Sequence, residues 1–228
     1  MNSRRLIAVV EGQTEQTFIR EVLAPWLQHW GIYLSPRLVG KPGHRGGVGQ
    51  YPRAKKDILA LLKQESSTVI TTMFDFYAMP FSWPGREEAG RAGHKKKASI
   101  VEAALLQDVV ATMGGEFDPR RLIPYVQMYE YEALLFTKPE VIADVVRHPE
   151  IAPKLARIRK KFKTPEEIND SRTTAPSKRI EKLHSAYEKP LHGSIAAQRI
   201  GIDAMLAECP HFREWLAKLQ AGGLGGKK

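Results

Sequence analysis

Residues 6–10 (Leu-Ile-Ala-Val-Val) form an apolar, β-branched run that stops at Glu11-Gly12. A strand with no alternating polar positions must be covered on both faces, the situation of a parallel sheet enclosed by helices. The next 130 or so residues keep to that scheme. Thr14 is placed to cap a helix in which Phe18, Ile19, Val22, Leu23, Trp26, Leu27 and Trp30 recur at helical spacing, with a kink or interruption expected at Pro25 and Gly31 as the stop. Residues 32–39 suggest a second strand, assigned to a sheet edge because Pro36 cannot donate to a ladder. A helix over 54–62 with Pro52 near its first turn, a strand over 68–74, a helix over 98–113 and a strand over 123–128 complete the alternation. Four strands and three helices in turn predict an α/β fold with a parallel sheet, whose ligands gather at the C-terminal strand ends.

From Pro139 onward the periodicity is helical alone, over 141–146, 151–162, 177–187 and 195–219. The expected division is an α/β domain over 1–137, a basic helical segment over 138–220 packed on it, and a disordered tail over 221–228, where the chain ends in AGGLGGKK. No apolar run reaches the ~20 residues that a bilayer requires, and acid follows the short apolar start too soon for a secretory signal, so the expectation is a cytoplasmic protein with no membrane contact. Cys209 is single, which excludes an internal disulfide and a cysteine-based zinc site and leaves it as a small buried hydrophobe.

The formal charge of +10 is unevenly placed: residues 147–190 hold twelve Lys/Arg against six Asp/Glu. Further basic stretches run over 37–56 and 91–97. Such fields concentrate polyanions, among which nucleic acid is the commonest in a cytoplasm, and they equally suit a solvated surface. The candidate contacts are Lys41, Arg45 and Arg53 around a glycine-rich loop, Lys95, Lys96 and Lys97, then Lys160, Lys161, Lys178 and Arg179. That loop fits neither P-loop nor GxGxxG spacing, the histidines show no HExxH pairing, and no GxSxG elbow is present, which sets aside nucleotide, zinc and serine chemistry.

At the strand ends the polar residues are acidic. Glu11 closes the first strand, Asp75 the third, and Glu130 with Glu132 the fourth. Each has a local explanation as well, Glu15 and Glu132 as first-turn residues favoured by a helix dipole and Asp75 as the cap of a turn. Period-2 alternation sends Asp75 and Tyr77 to one face, and Glu130 and Glu132 likewise. Carboxylates from three strands would repel unless a cation lay among them, and an all-oxygen ligand set of Asp75, Glu130, Glu132 and Glu15 selects Mg²⁺ or Mn²⁺.

The segments VEGQTE, MFDFY, YEYEALLF, TAPSKRI and CPHFREWL resemble an uncharacterised bacterial domain family related to TOPRIM proteins, the fold of topoisomerases, primases and overcoming-lysogenization-defect nucleases. The resemblance runs from Val10 to about Leu219. It implies a TOPRIM-like Rossmannoid sheet, acid/base chemistry at Glu11, metal binding at Asp75, and phosphodiester hydrolysis. Tyr77 stands where TOPRIM proteins place a second Asp, so Glu130 or Glu132 would supply the missing ligand. Lys189 is the candidate for holding the scissile strand or offsetting transition-state charge.

Two classes follow. One is a Mg²⁺- or Mn²⁺-dependent nuclease, by resemblance an effector in anti-phage defence beside a separately encoded ATPase. The other is a non-catalytic nucleic-acid-binding or regulatory module on a degenerate TOPRIM site. DNA and RNA both stay open as partners, as does a homo-oligomer.

Overall fold

A computed structural model describes residues 3–40, 49–77, 79–169, 171 and 173–222. The fold is α/β, with a parallel sheet flanked by helices. Strands β1 (Arg4–Val10), β2 (Ile32–Leu38), β3 (Val69–Asp75) and β4 (Leu122–Ile123) lie in the order β2-β1-β3-β4, and β5 (Val126–Gln127) continues beside β3. All these pairings are parallel.

Burial on both faces is visible in β1 residue by residue. Leu6, Ala8 and Val10 enter one hydrophobic cluster while Ile7 and Val9 enter another, which is the period-2 alternation of a strand between two layers. The first layer holds α1 (Gln13–Phe18) and α2 (Ala24–Gln28), through Phe18, Leu23 and Leu27. The second holds α3 (Tyr51–Gln64) and α5 (His94–Met113), through Ala54, Ile58, Val101 and Leu105. The edge position of β2 agrees with Pro36, whose partner on the inner side is Ala8.

The helix is interrupted at Pro25, as expected. The turn before it, Ile19–Leu23, widens to a π-helix and α1 runs into α2 through it, which absorbs the donor that proline lacks. The fourth strand is shorter than expected, because Pro124 breaks it into β4 and β5. Thr72 repairs the gap: its hydroxyl accepts from the Tyr125 N–H at 2.9 Å and donates to the Tyr125 carbonyl at 2.9 Å, so buried backbone groups stay paired.

Helices α6 (Pro139–Val145), α7 (Ala152–Arg159), α8 (Pro176–Leu183), α9 (Ser194–Ile200), α10 (Ile202–Glu208) and α11 (Pro210–Ala221) make up the C-terminal part. Leu155, Ile180, Phe212, Trp215 and Leu219 from these helices join the same cluster as Leu6 and Phe18. The single helix expected over 195–219 is instead three, interrupted at Gly201, whose φ of 80° leaves the helical region, and at Cys209-Pro210. Cys209 is fully buried. The loop expected over 78–93 contains a short helix, α4 (Arg86–Arg91), and Trp83 is buried there with its indole N–H on the Gly49 carbonyl at 3.0 Å. Among the described residues no helix is long and apolar enough to cross a membrane. Lys41, Arg45 and most of the glycine-rich loop lie outside the described residues, as do residues 223–228 of the expected tail.

Candidate functional site

Glu11 is the first residue past β1, and Gly12 with an extended backbone opens α1. Glu15, three residues into the helix start, bends back so that its Oε2 accepts from the Gly12 N–H at 2.9 Å. The first-turn role foreseen for Glu15 is therefore real, and it buries the carboxylate beside Glu11. Asp75 ends β3. Its backbone N–H donates to Glu11 Oε2 at 3.3 Å, and its own Oδ1 is buried with no hydrogen-bond partner.

Glu130 and Glu132 arrive differently from the expected strand. The chain leaves β5, turns at Glu130 and enters a 3-10 helix, Tyr131–Thr137, with Glu132 in its first turn. Both carboxylates nevertheless meet one ammonium: Lys189 donates to Glu130 Oε1 at 3.2 Å and to Glu132 Oε2 at 3.3 Å. Glu130 is further held by Ser177, whose N–H and hydroxyl donate at 2.9 and 3.1 Å. Glu132 Oε1 is buried without a hydrogen-bond partner.

Lys189 begins a π-turn, Lys189–Gly193, that packs tightly on the 3-10 helix. Tyr131 donates its hydroxyl proton to the Gly193 carbonyl at 3.1 Å. A Cβ at Gly193 would lie 3.1 Å from Tyr187 Oη and 3.3 Å from a Tyr131 ring carbon, so a glycine is what lets this turn approach. Ser177, Tyr131 and Gly193 are the site residues that sequence reasoning missed. Their signal was present in TAPSKRI and YEYEALLF, but their contacts cross 47 and 62 positions of chain.

The electrostatics follow from crowding in a dry place. Burial, reinforced by Glu11, pushes the Glu15 carboxyl up to about 7. Burial also pushes Glu132 up to about 7, with Lys189 opposing and Glu130 adding to it. Asp75 stands well above the usual carboxylate range through burial and the charges of Glu15, Glu11 and Glu132. For Lys189 burial works against the charge, but Glu132, Glu130 and Asp75 outweigh it and hold the ammonium protonated.

Tyr77 does not share the face of Asp75. The strand ends at Asp75, and Phe76 and Tyr77 both pack with the α3–α5 cluster, while Met73, two residues before Asp75, lies in the opposite one. The Tyr77 N–H donates to the Tyr129 carbonyl at 2.8 Å, which fixes this turn of chain. The expectation that alternation continues to residue 77 is thus corrected.

As the side chains stand, no group of three or more His, Cys, Asp or Glu among the described residues is drawn close enough to hold a metal ion. The two unpaired oxygens, Asp75 Oδ1 and Glu132 Oε1, are still the donor type that a hard cation takes.

The basic candidates are spread over several helices. Arg53 is exposed on α3, Lys95 and Lys96 on α5, and Lys160 and Lys161 just beyond α7. Lys97 is turned to the Ala89 and Gly90 carbonyls at 3.1 Å each. Lys178 pairs with Glu181 at 2.6 Å, and Arg179 binds the Thr174 carbonyl at 2.7 Å and Asn169 at 3.0 Å.

A family model described as "Domain of unknown function (DUF4276)" matches residues 10–220. Among solved structures, the C-terminal region of the Xanthomonas campestris pv. campestris OLD protein is similar with a TM-score of 0.37 and 17% identity, over 94% of this chain and 96% of that one. No curated protein matches.

Proposed function

The chain belongs to the DUF4276 family, and from that premise we propose that it is a divalent-cation-dependent nuclease of TOPRIM type. One observation carries the reading: two buried carboxylate oxygens, Asp75 Oδ1 and Glu132 Oε1, lack hydrogen-bond partners inside a cluster that also contains Glu11, Glu15 and Glu130. Leaving buried carboxylate oxygens unpaired is costly, and a site that keeps them is held for something absent from the protein itself.

Mg²⁺ or Mn²⁺ bound there would supply Lewis-acid polarisation of a phosphoryl oxygen and a water of lowered pKa. Asp75 and Glu132 are the residues that would hold it. Glu130 is committed to Ser177 and Lys189 and acts as a positioning residue. Glu11, half-buried at the rim of the sheet, would take the proton from attacking water in this proposal. Lys189, with a side chain 36% exposed, can meet a phosphate while its charge is secured from behind. By the sequence resemblance, the proposal extends to a cytoplasmic effector of anti-phage defence working with a separate ATPase.

Lys189 also favours a second reading. It already gives Glu130 and Glu132 a positive partner, and a lysine in place of an ion would suit a non-catalytic module that only binds nucleic acid. The test is cleavage of DNA and RNA, single- and double-stranded, with Mg²⁺ or Mn²⁺ and with chelator. Cation-dependent cutting that is lost in Glu11→Gln supports the nuclease. Equal binding with and without cation, and no cutting, transfers the chain to the second class.

A further inference from the structure

Between α4, the start of α5 and the turn before them lies a cavity of about 630 Å³ lined by Phe81, Arg86, Glu87, Gly90, Arg91 and Lys97. Its composition is unusual for a surface dent. Phe81 is 72% exposed, while Arg86 is 8% exposed and lies between two rings, its guanidinium carbon 4.0 Å from the Phe76 ring centre and 5.1 Å from that of Phe81. Lys97 adds a second cation 5.7 Å from the Phe76 ring centre. Arg91 reaches the rim, held by Glu87 at 2.5 Å, so three cations face one acid.

We propose that this cavity binds one unpaired nucleotide of a single-stranded nucleic acid, with the base stacked on Phe81 and the phosphate held by Arg91 and Lys97. A large aromatic ring left in water at the mouth of a cationic hollow offers a π-face that every base can use, and the neighbouring cations suit the phosphodiester that follows each base. Arg86 stiffens the platform by cation–π contact from below, which orders the Phe81 ring before a ligand arrives. The volume lies in the range of small-ligand clefts. Gly90 lines the cavity beside Phe81 and Arg86: a Cβ there would sit in van der Waals contact with both, 3.9 Å from a Phe81 ring carbon and 3.7 Å from Arg86 Nη1, so a larger side chain at this position would occupy the space.

The location ties the cavity to the acidic centre. Phe76, buried behind the cavity wall with its ring centre 4.0 Å from the Arg86 guanidinium carbon, directly follows Asp75, so the wall of the cavity and the acidic centre are linked through consecutive residues about 3.8 Å apart along the backbone. A strand anchored by one base at Phe81 would run over the C-terminal edge toward Asp75. This inference rests on the nuclease reading only for the direction of the strand.

The experiment measures binding of fluorescent single-stranded oligonucleotides, their duplexes and an abasic single strand, all in chelator, to wild type, Phe81→Ala, Gly90→Leu and Arg91→Glu. Expected is a loss of about tenfold in single-strand affinity for Phe81→Ala, the scale of one stacked base, a similar loss for Gly90→Leu by filling the cavity, and little change for the duplex or the abasic strand. Arg91→Glu should weaken the normal and abasic strands alike. Unchanged single-strand binding in both Phe81→Ala and Gly90→Leu overturns the proposal, as does an equal loss on the abasic strand, which would mark a simple anion site. Since no cation is needed, cleavage failing while Phe81-dependent binding persists overturns the nuclease reading alone.

Discussion

Glu11 accepts a hydrogen bond from the backbone N–H of Asp75 at 3.3 Å, so the ends of two adjacent parallel strands are joined through the carboxylate that the nuclease proposal assigns as the base. Replacing Glu11 with Gln keeps an acceptor for that N–H and removes the charge. Folding and nucleic-acid binding should survive, while cleavage should fall by about 10²-fold or more, the usual contribution of a positioned base. Circular dichroism and a cleavage assay on the same preparation check this, and substantial residual cutting by Glu11→Gln would sink the role.

With the carboxyls of Glu15 and Glu132 pushed up to about 7 and that of Asp75 also raised well above the usual carboxylate range by burial and its acidic neighbours, the apo site keeps part of its protons near neutral pH. Groups whose folded pKa is raised contribute stability that is complete below the unfolded carboxylate range and is lost as pH rises through about 7. The apo melting temperature should therefore fall between pH 5.5 and 8. Mn²⁺ should restore it at pH 8 and do little at pH 5.5, and calorimetry in buffers of different ionisation heat should show protons released on binding. Binding without proton release would refute the shared site.

Lys189 secures two carboxylates at once. Lys189→Met removes that charge and should cost about 1–2 kcal/mol, below the usual figure for breaking a buried pair because the lysine is about one-third exposed. On a chain of this size that is roughly 2–8 °C in melting temperature. The deficit should shrink as pH falls through 7 and the carboxyls take up protons instead. A deficit independent of pH would mean that packing, not charge, is what the lysine supplies.

The parallel sheet and its acidic strand ends are legible in the sequence because they depend on local signals: the unbroken apolar run of β1, Pro36 on an edge strand, and acids at the strand ends, Glu11 just past β1 and Asp75 closing β3. What was illegible depended on partners distant in sequence. Glu130 and Glu132 read as alternate residues closing a strand, with a helical first turn as the local alternative for Glu132; the structure takes that alternative, a 3-10 helix over Tyr131–Thr137 on which the Lys189–Gly193 turn packs. Alternation in the sequence runs on past Asp75 to Tyr77 for the same reason: nothing local announces that the ladder stops, whereas in the fold Phe76 and Tyr77 both pack with the cluster of α3 and α5. The breaks at Gly201 and Cys209-Pro210 did have local signals, and the helical periodicity around them concealed both.

Gly193→Ala tests that long-range packing directly. The new methyl would meet Tyr187 Oη at 3.1 Å and Tyr131 at 3.3 Å, both buried rings with little room to retreat. Overpacking of this kind costs about 1–3 kcal/mol, and relief by shifting the turn would carry Lys189 away from Glu132. Expected are a lower melting temperature and a cleavage rate reduced more than binding. A variant as stable and active as wild type would show that the turn tolerates the methyl and that its close approach is unimportant.

Tyr77→Asp distinguishes a rewired site from one that merely lost a ligand. If Tyr77 occupied the place of a missing carboxylate, the substitution would restore it and raise activity with Mg²⁺. The side chain instead packs with Phe74 and Phe76 on the face away from Met73, and its N–H is tied to the Tyr129 carbonyl. An aspartate there would project into an apolar cluster, lose the ring's contacts and place a desolvated charge beside Phe76, at a cost of about 1–3 kcal/mol. The expected result is lower stability, no gain in cleavage and no tighter Mn²⁺ binding, because the proposed ligand oxygens are those of Asp75 and Glu132, on the other face. Higher activity in Tyr77→Asp would show that residue 77 can swing to the acidic face, and Glu132 would then lose its place as a ligand.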